Sequence, residues 1–248
     1  MIQREQILQF LQETLTPENF DDYCVNGLQV QGKEIIRKII LGVSVSERLF
    51  QATVKARGDL LIVHHGLFWK SDPHPMKITG LLYHRLRLLL QHDINLAAYH
   101  LPLDAHPVIG NNAQILQKLG LKSLQTVDVG FLGEFDQPIP LPDFINLVNA
   151  KLETNALVLN YGPDLIKKVV VISGGSSPDF LTAVELGADA FVGGDLRENL
   201  VRSIEESRMN FINAGHYNTE KFGIQALGKL LQEHFLIPCE YIDIPNPI

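Results

Sequence analysis

Cysteine is nearly absent from this chain, with Cys24 and Cys239 the only thiols in 248 residues. Two are too few for a disulfide framework and lack the CxxC spacing of a zinc ribbon or a thioredoxin-like site, so both are read as reduced, structural residues. Long apolar runs are missing as well: none reaches the roughly 18–20 residues that span a bilayer. The opening MIQREQILQFLQETL sets Arg4, Glu5 and Glu13 inside an i, i+3, i+4 apolar pattern, which is an amphipathic helix rather than a signal peptide. A cytoplasmic location is the expectation. Positive charge is in deficit, with 21 Lys and Arg against 28 Asp and Glu for a net −7. That balance opposes loose binding to nucleic acid, which draws its free energy from cations replacing counterions on phosphates. There is no low-complexity tract and no long run of like charge, so a disordered tail is not expected.

What the chain does have is 46% hydrophobic residues, patterned as strands alternating with helices. IIRKIILGVSV reads as a buried strand, Ser46 caps a helix that Gly58 closes, and DLLIVHHG is the next strand. The helix ITGLLYHRLRLLLQHD, the strand INLAAYH and the helix NNAQILQKLG follow. Such alternation implies a largely parallel sheet covered on both faces. From about residue 124 the texture changes, and a second series of strands and helices runs to CEYIDI. Residues 36–65 laid on 166–195 match at Ile36/Ile166, Lys38/Lys168, Ser46/Ser176, Phe50/Phe180, Val54/Val184 and Asp59/Asp189. Duplication of an ancestral half and chance similarity of two βαβ units both account for that pattern. In this register His64 and His65 fall on Gly194 and Asp195, at the strand ends where α/β sheets bind ligands.

The candidate chemistry collects at three strand ends. His64 and His65 close an apolar strand at Gly66; adjacent strand residues face opposite ways, so their rings converge only if the backbone turns there, which glycine permits. The strand INLAAYH ends in His100 and runs into LPLDAHP, adding Asp104 and His106. In AGHYNTEKFG, His216 follows a strand, Asn218 or Thr219 is placed to cap the next helix, and Glu220 sits in its first turn. Each has a plain structural reading: a packed histidine pair, a turn aspartate, a helix-dipole glutamate. Taken together, three His and two carboxylates suit Fe, Zn, Mn, Co or Ni better than Ca or Mg. Five side chains exceed what one open site uses and match a pair of divalent ions.

NGLQVQGKE, VHHGLFWK, HLPLDAHPVIGNNAQ, AGHYNTEKFGIQAL and the terminal IDIPNP resemble the Nif-three-like dinuclear-metal family, whose members carry the name GTP cyclohydrolase I type 2 homologue. The resemblance runs from about residue 22 onward and is weaker between about 120 and 165. It implies that His64, His65, Asp104, His216 and Glu220 are the metal ligands, with Glu220 a bridge and His100 a catalytic histidine beside them. It also implies a ring-shaped homohexamer. Relatives carry a histidine after the GD of the second domain, where this chain reads GGDLRENL with Glu198 and Asn199. The expected fold is α/β: two similar three-layer α/β/α domains, the first from 1–124 joined by 214–248, the second inserted as 125–213, with the dinuclear site in the cleft. The expected function is a metal-dependent hydrolase acting on a nucleotide or related small molecule. The alternative is a non-catalytic metal-containing scaffold. Lys70, Arg85 and Arg197 are the cations considered for phosphate recruitment.

Overall fold

The computed structural model describes residues 1–248. In chain order the elements are β1 (Ile2–Gln3), α1 (Arg4–Leu15), β2 (Gly27–Val30), β3 (Ile35–Ile36), β4 (Ile39–Ser44), α2 (Glu47–Lys55), β5 (Leu60–His65), α3 (Gly80–Gln91), β6 (Asn95–Ala98) and α4 (Leu101–Ala105). They continue with α5 (Asn111–Leu119), β7 (Lys122–Val127), β8 (Gly130–Pro140), α6 (Leu141–Leu152), β9 (Leu157–Asn160), β10 (Leu165–Val171), α7 (Phe180–Glu185), β11 (Ala190–Gly193), α8 (Val201–Glu206), β12 (Asn210–Asn213), α9 (His216–Phe235) and β13 (Cys239–Tyr241). No helix is long and apolar enough to cross a membrane.

Two compact units form, Met1–Leu103 with Ile224–Ile244, and Asp104–Gly223 with Pro245–Ile248. The division differs from the sequence expectation at both joints. Helix α5 belongs to the second unit because Ile115, Leu116 and Leu119 are buried with Phe131, Phe144 and Val169 of that unit. At the other joint the chain changes unit inside α9, where no composition shift marks it.

The first unit has a five-stranded sheet, β13-β4-β5-β6-β2, parallel except for β2. Strands β4 and β5 are apolar along nearly their whole length because the sheet is covered on both faces. Ser46 caps α2 as its position suggests, accepting from the Leu49 amide at 3.2 Å, which stabilises the helix by about 1 kcal/mol. Strand β2 lies in the segment DDYCVNGLQVQG, whose turn formers hide it in the sequence.

The second unit has a six-stranded sheet, β7-β8-β10-β11-β12-β9. Only β10, β11 and β12 are parallel neighbours; β7, β8 and β9 join antiparallel, so the largely parallel expectation fails for half of this sheet. The segment LQTVDVGFLGEFDQPIPLP, where the texture of the sequence changes, forms most of the β7–β8 hairpin. Its turn is Asp128–Val129, with Asp128 at φ 51°, a conformation aspartate tolerates better than most residues.

The internal match is structural. Asp59 accepts from the Arg37 amide at 2.9 Å, and Asp189 from the Lys167 amide at 2.8 Å. Asn95 accepts from the Gly32 amide and donates to the carbonyls of Lys33 and Asp59, while Asn210 accepts from the Gly162 amide and donates to those of Pro163 and Asp189. Gly32, Lys33, Arg37 and Asp59 stand at the same spacing as Gly162, Pro163, Lys167 and Asp189. Chance similarity of two amphipathic βαβ units gives no reason for one polar network to be built twice, so duplication is the better account.

Candidate metal centre

In the first unit, ligand atoms of His64, His65 and His100 all lie within 4.8 Å of one another. His64 and His65 end β5, and their ring centroids are 4.7 Å apart, so the two rings do converge. Glycine at 66 is needed for a different reason than conformational freedom. A Cβ there would stand 2.4 Å from Gln29 Nε2 and 2.6 Å from the Ala98 Cβ. Gln29 fills that space because its Oε1 accepts from the Leu67 amide at 2.6 Å and holds the chain as it leaves the sheet.

Each imidazole is oriented through Nδ1. His64, wholly buried, has Nδ1 3.1 Å from the Tyr99 carbonyl, which can only accept. Nδ1 therefore carries the proton, and Nε2 carries the lone pair a metal needs. His65 Nδ1 is 2.9 Å from Ser44 Oγ. His100 Nδ1 is 2.9 Å from Asp22 Oδ1. Burial pushes the Asp22 carboxyl up, but hydrogen bonds from His100, the Cys24 amide and Asn26 outweigh it and hold the pKa at about 2. Asp22 is thus an ionised acceptor that fixes the Nδ1–H tautomer of His100. Its folded pKa lies below the unfolded value of 3.8, so its contribution is complete above about pH 4 and disappears as pH falls toward 2. We expect Asp22→Asn to destabilise the fold by on the order of 2 kcal/mol at pH 6, a difference that shrinks toward zero near pH 2 in urea titrations.

In the second unit, carboxylate oxygens of Asp104 and Glu220 lie within 4.8 Å of one another, both side chains being buried. His216 Nε2 is 3.1 Å from Glu220 Oε2. Helix α9 starts at His216, earlier than Asn218 or Thr219, so the histidine and glutamate meet as an i, i+4 pair on one helical face. Asp104 Oδ1 accepts from Asn111 Nδ2 at 2.8 Å and from Ser173 Oγ at 3.0 Å. Asn112 Oδ1 accepts from the Ser173 amide, tying β10 to the start of α5. Gly174, at φ 64°, lies so close that a Cβ would sit 2.2 Å from Glu220 Oε1. Gly174→Ala should therefore cost about 1–2 kcal/mol from the left-handed backbone, and should displace Glu220. Urea denaturation and metal content of one preparation check both effects.

Other sequence candidates have plain roles. His106 Nδ1 accepts from the amides of Val108 and Ile109, a turn, and burial lowers its pKa. Asp195 Oδ1 accepts from the Ser177 amide at 3.3 Å. Lys70 pairs with exposed Asp21. The residues the sequence reading missed, Asp22, Ser44, Asn111, Asn112, Ser173 and Gly174, act by orienting ligands. Only Asn111 and Asn112 carried any signal, as a helix start.

The donor set suits a borderline divalent metal. Imidazoles locked through Nδ1 present Nε2, and two carboxylates buried this close repel unless one is protonated or a cation lies among them.

Known proteins resemble this chain along its whole length. The family model described as Duf34/NIF3 (NGG1p interacting factor 3) matches residues 2–247. A Vibrio cholerae protein named GTP cyclohydrolase 1 type 2 homolog is 39% identical over 252 residues, covering 98% of each chain. The solved structure of protein YbgI, titled as of unknown function, superposes with TM-score 0.96 at 37% identity over 100% of both chains. One from Thermus thermophilus superposes at 0.90 with 34% identity, again over 100% of both. The chain belongs to the Duf34/NIF3 family.

Proposed function

We propose that His64, His65, Asp104, His216 and Glu220 would hold two divalent ions, of Fe, Zn, Mn, Co or Ni. On this reading the protein is a metal-dependent hydrolase acting on a nucleotide or related small molecule. The observation that carries it is the orientation of His64 and His100: both rings are pinned through Nδ1 to pure acceptors, leaving Nε2 as the working nitrogen. When bound, such ions supply Lewis acidity and stabilise negative charge developing at an electrophilic carbon or phosphorus. His100 is assigned the proton transfer, at Nε2, with Asp22 stabilising the ring when it is cationic.

The substrate is assigned to a cavity of about 520 Å³ in the second unit, flanked by Gly215 and Asn218 on either side of His216. Asn155, Asn213 and Asn246 also line it. Side-chain amides both donate and accept, as the edge of a heterocyclic base requires. The name of the Vibrio cholerae relative points to a purine nucleotide as the first compound to try.

The test is a turnover screen of GTP, other nucleotides and phosphoesters with metal restored. We expect turnover within one of these classes and a loss of 10²-fold or more in kcat for His100→Ala. A fully metal-loaded protein that turns over none of them would favour the scaffold reading. We also propose a homohexamer, on the family resemblance. Sedimentation should then give a mass near six chains of 27.8 kDa, and a mass near one chain would remove it.

A further inference from the structure

The first unit holds a second cavity, of about 730 Å³, between the loop that follows β5 and the start of α3. This is within the range of small-molecule sites. Its walls are apolar, including Leu67, Phe68, Pro73, Met76 and Leu82, and Arg85 and Lys77 also line it. Arg85 is the informative residue. Its Nε is buried with no hydrogen-bond partner, an arrangement that costs free energy unless an acceptor arrives. Asp72, the acid of the lining, has its Oδ2 accepting from the Trp69 amide at 2.8 Å and is no partner of Arg85 Nε. Two cations and one engaged carboxylate leave the cavity with a positive balance. Leu81, which also lines it, is 61% exposed, so the cavity reaches the surface.

We propose that this cavity binds an organic monoanion with an extended apolar body, such as a medium-chain carboxylate, with Arg85 holding the carboxylate. The guanidinium fork matches a carboxylate in two parallel hydrogen bonds. The apolar wall accommodates the chain. The site uses none of the proposed metal ligands, so it stands whether or not the hydrolase reading does.

The experiment is isothermal titration of the full-length, metal-loaded protein with hexanoate, octanoate and decanoate, and with 1-octanol as the neutral control. Affinity should rise about three- to fourfold per added methylene, and octanol should bind at least tenfold more weakly than octanoate. Arg85→Met should remove the preference for the anion, while Arg85→Lys should keep part of it. Both variants leave the proposed metal ligands untouched and should retain metal content, which shows that they fold. Absence of binding by all three carboxylates would overturn the proposal. So would equal affinity for octanol and octanoate. A third overturning result is a Leu81→Glu variant of reduced sedimentation mass alongside a wild type that binds no decanoate, since the surface would then be a contact between copies of this chain.

Discussion

Replacing His64 by alanine is expected to reduce bound metal from two ions per chain to one or none, and to remove most of the effect of metal on thermal stability. The size follows from mass action: a ligand at a thousand times its Kd stabilises the native state by about 4 kcal/mol. For a chain of this length that corresponds to roughly 8–16 °C in Tm. The wild type should show a shift of that order when metal is restored to stripped protein, and His64→Ala a small fraction of it. His65→Ala should behave the same way, although Ser44 rather than a carbonyl orients that ring. Packing alone gives another signature. His64 is wholly buried against the Tyr99 carbonyl, so alanine would lose stability equally with and without metal, and the bound-metal count would stay unchanged.

Glu220→Gln is expected to keep the fold and lose at least one ion. The substitution preserves shape, so the close approach of Gly174 to Oε1 is undisturbed, while the charge that an amide cannot supply is gone. The test pairs a far-ultraviolet circular dichroism spectrum, expected to match the wild type, with metal stoichiometry, expected to fall by at least one. Unchanged stoichiometry would take Glu220 out of the ligand set.

The candidate ligands stood out in the sequence because His64 and His65 close a strand, His216 opens a helix with Glu220 one turn on, and Asp104 lies in the short helix after β6. The residues that orient them did not. Asp22 reaches His100 across 78 positions and Ser173 reaches Asp104 across 69, and neither has a local motif. Gly66 was legible as a necessity but for the wrong cause, since the space taken by Gln29 and Ala98 is set by a strand the turn-rich sequence concealed. Helix α9 shows the same limit at a cap. Asn218 and Thr219 have the chemistry of N-caps, yet Thr219 Oγ1 instead accepts from the Gly174 amide, and the helix begins before either. The joint inside α9 escaped because no change in composition marks it.

The central claim is the pair of ions, and metal analysis of protein purified without chelator and crystallised with its native metal tests it most directly. The account predicts two ions per chain by elemental analysis, with anomalous scattering placing both against His64, His65, Asp104, His216 and Glu220. Fewer than one ion per chain after reconstitution with each of Fe, Zn, Mn, Co and Ni, or ions bound away from these five side chains, would contradict it.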